Sequence, residues 1–333
     1  MSRESSYNVY VSKERYLEIL GFTTYVFVTG KIGSFSGFFG GKRTLGQFLE
    51  NFIYGKIAEE GLKEFLKTNF GLQVLTDVDI ADFIEGMYLP DIVAIKVKER
   101  WETAKFWIET KEVRRDQKWF LVPASATRQR PYDAYVAVWV GLPDDHIAWL
   151  IKNVPQVAER MSEDWQKKMK ELEETIDKIP CKIIGYALWE DVVAVSEAYG
   201  DEAKLKYLNE KFDEGGWYFF DGSTALFDPD DPQWSGAVVG ENVGFALSRL
   251  EKGSKWDTFV DLVEKNERTI SERIPVKGRT GLPSNYKSYR DYREASFRWL
   301  SNQLEHIQNR FGNIQRKSSW FTQKLPKEWN KII

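Results

Sequence analysis

The chain has 333 residues, with 47 Lys and Arg against 50 Asp and Glu, two His and a single Cys. One cysteine, Cys181, excludes an intrachain disulfide, and with only His146 and His306 beside it there is no Cys/His zinc site. The longest apolar run, residues 134–142, is far short of the roughly 20 residues that span a bilayer.

The opening "MSRESSYNVY" is polar and lacks the apolar middle of a signal peptide, so a soluble, cytoplasmic protein with no membrane partner is expected. Residues 7–30 hold "YNVYV" and "TTYVFVTG", whose β-branched and aromatic content predicts two short strands around a turn at Gly21. The Gly-rich stretch 33–46 predicts a loop. It fails as a phosphate loop: counting back from Gly41-Lys42 puts Ser36 where the first Gly belongs, and Arg43 stands where a Ser or Thr would hold magnesium. No nucleotide cofactor is expected.

Residues 44–69 predict one amphipathic helix with Thr44 as its N-cap. Phe48, Phe52, Gly55, Glu59, Leu62 and Leu66 fall on one face. Glu59 interrupts that apolar stripe. An unpaired carboxylate there is costly, so Glu59 is expected to have a partner or to face a cleft. Next, "YLPDIVAIKV" and "AKFWIETKEV" predict the two strands of a hairpin joined by the charged turn "KERWET". "DQKWFLVPASATRQR" leads into a strong strand, "YDAYVAVWVGL". Residues 156–177 carry a second helical stripe, from Val157 to Ile176, suited to a core or a dimer contact. Residues 181–189 predict another strand, 213–247 are turn-rich, and the last 65 residues read mainly as helix.

Charge is unevenly spread. Residues 151–235 carry 10 Lys and Arg against 19 Asp and Glu, whereas 269–333 carry 13 against 5. A basic tail on an acidic body suits a polyanion, or an ordinary solvated helix.

One constellation carries chemistry. Asp91 begins the first hairpin strand, and Glu109, Thr110 and Lys111 end the apolar part of the second. Glu109 and Lys111, two apart, point to the same side of a strand. Two carboxylates close together repel unless a cation lies between them, and magnesium prefers such hard oxygen ligands. A lysine beside them can orient or deprotonate a water. The plainer alternative is a surface ion pair between Glu109 and Lys111, with Asp91 in an ordinary turn.

Pro90-Asp91, a gap, then Glu109-Thr110-Lys111 resembles the motif of the PD-(D/E)XK nuclease superfamily, most closely the type II restriction endonucleases. The resemblance covers roughly residues 44–190 and includes the preceding helix and the helix-then-strand continuation after Lys111. It implies an α/β restriction-endonuclease-like core with a mixed central β-sheet flanked by helices, plus a largely helical C-terminal region. It divides the chain into N-terminal strands and a loop (1–40), a nuclease core (41–240) with a helix inserted near 156–177, and a basic region (241–333) for DNA contact or dimerisation.

The implied activity is hydrolysis of double-stranded DNA with Mg2+ (Mn2+ substituting), leaving 5′-phosphate ends, by a homodimer in a prokaryotic cytoplasm. Asp91, Glu109 and Lys111 would be catalytic. The metal ligands would be Asp91, Glu109, the Thr110 carbonyl and a helix acid, with Glu59 preferred over Glu60 and Glu64. Arg114, Arg115, Lys118, Arg128 and Arg130 near the motif, and Lys287, Arg290 and Arg293 in the tail, would contact DNA phosphates or base edges. The tail aromatics Tyr289, Tyr292, Trp299 and Phe311 can instead pack that helix on the body. Two alternatives stay open: a structure-specific or repair nuclease resembling a junction resolvase, and a non-catalytic DNA-binding module.

Overall fold

A computed structural model describes residues 7–28, 45–80, 89–113, 117–123, 131–142, 163, 178–197, 217–220, 223–227, 235–239, 242–270 and 289–311. The architecture is α/β, with a mixed sheet flanked by helices. Among the described residues no helix is long and apolar enough to cross a membrane.

The central sheet has four strands: β1 (Asn8–Ser12), β8 (Lys178–Leu188), β7 (Ala134–Val140) and β5 (Ile108–Val113), in that order. β1 and β7 run antiparallel to β8, and β5 runs parallel to β7. β7 is nearly continuous in Ala and Val, as a strand covered on both faces must be. Val136 and Val138 join one core with Ile108 and Ile183, while Tyr135 and Ala137 join another with Val113 and Ile184.

The first core is closed by α2 (Leu45–Phe70), which lies against β1, β5, β7 and β8. Ile57, Ala58, Leu62, Phe65 and Leu66 are fully buried there, at the three- and four-residue steps that make a helix stripe. Gly61 permits the close approach: a Cβ at that position would stand 2.9 Å from the Cys181 Cβ on β8.

Among the described residues there are three smaller sheets. β2 (Val74–Thr76), β3 (Ile92–Val97) and β4 (Arg100–Thr103) form an antiparallel sheet. β6 (Trp119–Pro123), β12 (Asn242–Ala246) and β9 (Trp217–Phe220) form another, and β10 (Ser223–Phe227) pairs with β11 (Ser235–Val239). The remaining helices are α1 (Lys13–Val28), α3 (Asp77–Ile80), α4 (Trp189–Glu197), α5 (Leu247–Gly253), α6 (Trp256–Lys265) and α7 (Tyr289–Phe311).

Four expectations are corrected. Residues 13–28 form α1, not a second strand: Tyr16, Ile19, Phe22 and Thr23 are buried at helical spacing, and the Thr23 hydroxyl bonds back to the Ile19 carbonyl at 2.7 Å. The hairpin partner of β3 is β4, so "RWET" is strand and only Lys98 and Glu99 turn, both with positive φ as a two-residue hairpin requires. β5 instead enters the central sheet. Residues 119–123, expected to lead into a helix, form β6, paired with β12. The described residues of the turn-rich segment 213–247 contain four strands. The stripe at 156–177 lies, apart from helical Glu163, outside the described residues, as does Thr44.

Candidate functional site

Although β3 and β5 are not a hairpin, their chemistry-bearing ends meet. The Asp91 N–H donates to the Ile108 carbonyl at 3.1 Å, and Asp91 Oδ2 accepts the Thr110 N–H. The start of β3 thus lies along the outer edge of β5. Backbone N–H and C=O of one extended residue leave the same edge, so the Thr110 carbonyl lies on the Asp91 side, away from β7. Lys111 Nζ ion-pairs with Glu109 Oε1, with side chains 33% and 20% exposed. Both therefore remain open to a substrate.

α2 supplies the rest. Lys56 Nζ donates to Glu59 Oε1 at 2.7 Å, Glu59 Oε2 at 2.9 Å and Asp77 Oδ2 at 2.8 Å. Asp77 opens α3, and its other oxygen, Oδ1, is buried without a hydrogen-bond partner among the described residues.

The electrostatics mark Asp91 as the centre. Burial, then repulsion from Glu109, push its carboxyl up to about 7, against the opposing pull of Lys56, the Thr110 N–H and Lys111. Burial and the charge of Asp91 likewise raise Glu59 well above the usual carboxylate range, despite Lys56. Burial works against the Lys56 ammonium, but Asp77, Glu59 and Asp91 outweigh it and hold its pKa above the ordinary lysine value. Lys111 is raised in the same way: burial opposes, and Glu109, Asp91 and Glu112 prevail. The cluster thus brings four acids, Asp91, Glu109, Glu59 and Asp77, against two lysines, Lys56 and Lys111.

The chain matches no protein-family model, no curated protein and no solved structure. Its site is therefore read from its own residues.

Asp91 and Glu109 fit a divalent cation by chemistry: two hard-oxygen groups whose repulsion such an ion offsets. Among the described residues no three Asp, Glu, His or Cys side chains are arranged to hold a metal ion on their own. An ion at Asp91 and Glu109 would take its other ligands from backbone, water and substrate, as magnesium commonly does. Glu59 feels the charge of Asp91, but Lys56 engages both of its oxygens. The sequence reading missed Lys56 and Asp77. The available signal was Lys56 itself, a lysine one turn from Glu59 on the buried side of the helix.

Glu60 belongs elsewhere. Arg15 reaches Glu60 and Asp79 at 2.8 Å each, and Lys63 reaches the same two at 3.1 and 2.9 Å. A cavity of about 730 Å³ opens beside this second network, lined in part by Lys67, Lys96 and Trp101. Glu64 pairs with exposed Lys67 at 3.3 Å.

Of the basic residues, Arg114, Arg115, Arg128, Arg130 and Lys287 lie outside the described residues. Lys118 and Arg290 are exposed. Arg293 is withdrawn from the DNA-facing set. It is 3% exposed, its Nη2 pairs with fully buried Asp133 at 2.8 Å and bonds the Lys105 carbonyl at 2.6 Å, and its guanidinium lies 4.4 Å over the Trp107 ring. Asp133 also accepts from the Trp107 N–H at 2.7 Å and the Thr269 N–H at 2.8 Å. Tyr292 packs edge-on against Trp107, so this aromatic belongs to the core. The Cys181 thiol is pushed up to about 12, by burial first, and offers no nucleophile.

Proposed function

We propose that this chain is a magnesium-dependent endonuclease of double-stranded DNA with a restriction-endonuclease-like core, acting as a site-specific type II enzyme. The supporting observation is the meeting of Asp91 with Glu109, Thr110 and Lys111 across two different sheets, where a carboxyl raised to about 7 faces a second acid and a lysine. Such a perturbed set at a partly open edge is the usual mark of a catalytic site.

On this reading Asp91, Glu109 and the Thr110 carbonyl hold Mg2+, with Mn2+ able to replace it. The ion supplies Lewis-acid stabilisation of charge on the scissile phosphate. Lys111 orients the attacking water and, held by Glu109, keeps its ammonium at the reacting phosphorus. Asp91 uses one oxygen to hold the Thr110 N–H, which fixes β5 against β3 and so fixes the spacing of the acids. In-line attack leaves a 5′-phosphate and a 3′-hydroxyl. A two-fold dimer on a palindrome matches such a protein to its DNA. Lys118 and Arg290, both exposed, would contact phosphates.

Plasmid DNA of known sequence, incubated with Mg2+ or with EDTA beside Glu109→Ala, tests the reading. The expected result is discrete fragments that need Mg2+ and vanish in the variant. Cleavage without fixed ends would favour a structure-specific nuclease. Binding without cleavage would favour a non-catalytic module.

A further inference from the structure

Lys56 is a charged group in a place where a nuclease of this kind would be expected to offer free acid. Its Nζ lies within 2.7–2.9 Å of three carboxylate oxygens from two elements, Glu59 on α2 and Asp77 on α3. That is the environment of a bound cation, closed by the protein's own chain. Lys56 is 9% exposed and Glu59 5%, so neither relies on solvent. A buried carboxylate pair without its counter-charge is strongly disfavoured, and an ion entering between them would have to expel the ammonium.

We infer that Lys56 is the resident cation of the helix side of this site, filling the position a second metal ion would take, so that the chain binds one divalent ion, at Asp91 and Glu109, and not two. The inference rests on the proposed metal site at those residues. Lys56 is then a positioning residue. It engages both oxygens of Glu59 and so denies them to the metal. Asp77, with one oxygen on Lys56 and the other without a hydrogen-bond partner among the described residues, is the group that would complete a second metal site once Lys56 is removed.

Mn2+ binding to the full-length protein without DNA tests this, counted by equilibrium dialysis and by the loss of the free-ion electron paramagnetic resonance signal. One ion per chain is expected for the wild type, and one for Lys56→Arg. Glu59→Gln should also keep one ion, with affinity changed by less than about tenfold, the loss typical of removing a ligand's direct support. Lys56→Gln should bind two, and its melting temperature should rise more with Mn2+ than that of the wild type.

Two ions in the wild type, a tenfold or greater loss in Glu59→Gln, or a single ion in folded Lys56→Gln would each overturn the inference. If Lys56→Gln does not fold, the wild-type count and Glu59→Gln decide it. Glu109→Ala separates the two proposals. Absence of saturable Mn2+ binding in the wild type, or undiminished binding in Glu109→Ala, removes the metal site itself. Loss of the single ion in Glu109→Ala keeps that site and leaves the role of Lys56 to the other variants.

Discussion

Asp79 and Asp91 stand near the same helix and are driven in opposite directions. Burial raises both. At Asp79 the charges of Arg15 and Lys63 and the Thr76 N–H prevail, and its carboxyl falls below the ordinary value. At Asp91 the repulsion of Glu109 adds to burial, and the pull of two lysines does not prevail. Both neighbourhoods draw on α2 and α3: Asp79 and Lys63 on one side, Asp77 and Lys56 on the other. A carboxylate that receives matched cations serves as a structural tie. One crowded by a second acid, as Asp91 is by Glu109, suits the divalent cation proposed above. The useful signal for a site is thus the mismatch of charge within a buried cluster, and clustering of charge alone does not reveal it.

Removing the acid that creates the mismatch should have the largest effect. Glu109→Ala should lower Mg2+-dependent cleavage by about 10³-fold or more, the scale of losing metal-borne stabilisation, while Asp91 titrates lower because its repelling neighbour is gone. Activity assays and carboxyl-resolved NMR titration check the two halves. The matched network should fail in the other currency. Arg15→Met leaves Glu60 and Asp79 short of a cation and should cost about 3–5 kcal/mol of stability, as breaking a buried ion pair does, read from urea unfolding.

The pH dependence should divide along the same line. Asp91, raised from 3.8 to about 7, binds a proton more readily folded than unfolded, so its contribution to stability declines as pH rises from about 4 to 7. Asp79, lowered, contributes stability above its unfolded value that is lost as pH falls through its folded one. In EDTA, Asp91→Asn should flatten the unfolding midpoint between pH 4 and 7, and Asp79→Asn should flatten the acid limb below it. The smallest effect belongs to Lys67→Ala, which breaks an exposed pair with Glu64 and should change stability by less than about 1 kcal/mol in the same unfolding assay.

The sequence exposes the chemistry of Asp91, Glu109 and Lys111 because strand alternation and residue type are local. It exposes α2 and β7 because their apolar periods are long. It hides β4, since "RWET" is mostly polar and becomes a strand only through the Lys98-Glu99 turn and its pairing with β3. The β6 strand is hidden because its partner lies about 120 residues later. α1 is misread because the run "TTYVFVTG" favours strands by type, while Tyr16, Ile19 and Phe22 already carry the helical period. Arg293 looks like a surface cation because Asp133, 160 residues away, is invisible to any local window.

Asp133 also sets an order of events. Its carboxylate holds the Trp107 N–H at the root of β5 and, among the described residues, also takes Thr269, Ile270 and Arg293, which come from the last fifth of the chain. On a ribosome, Glu109 and Lys111 emerge long before the residues that anchor their strand. We predict that this edge of β5 is seated only when synthesis is nearly complete, so that a chain ended before Arg293 should expose β5 to protease where the whole protein protects it.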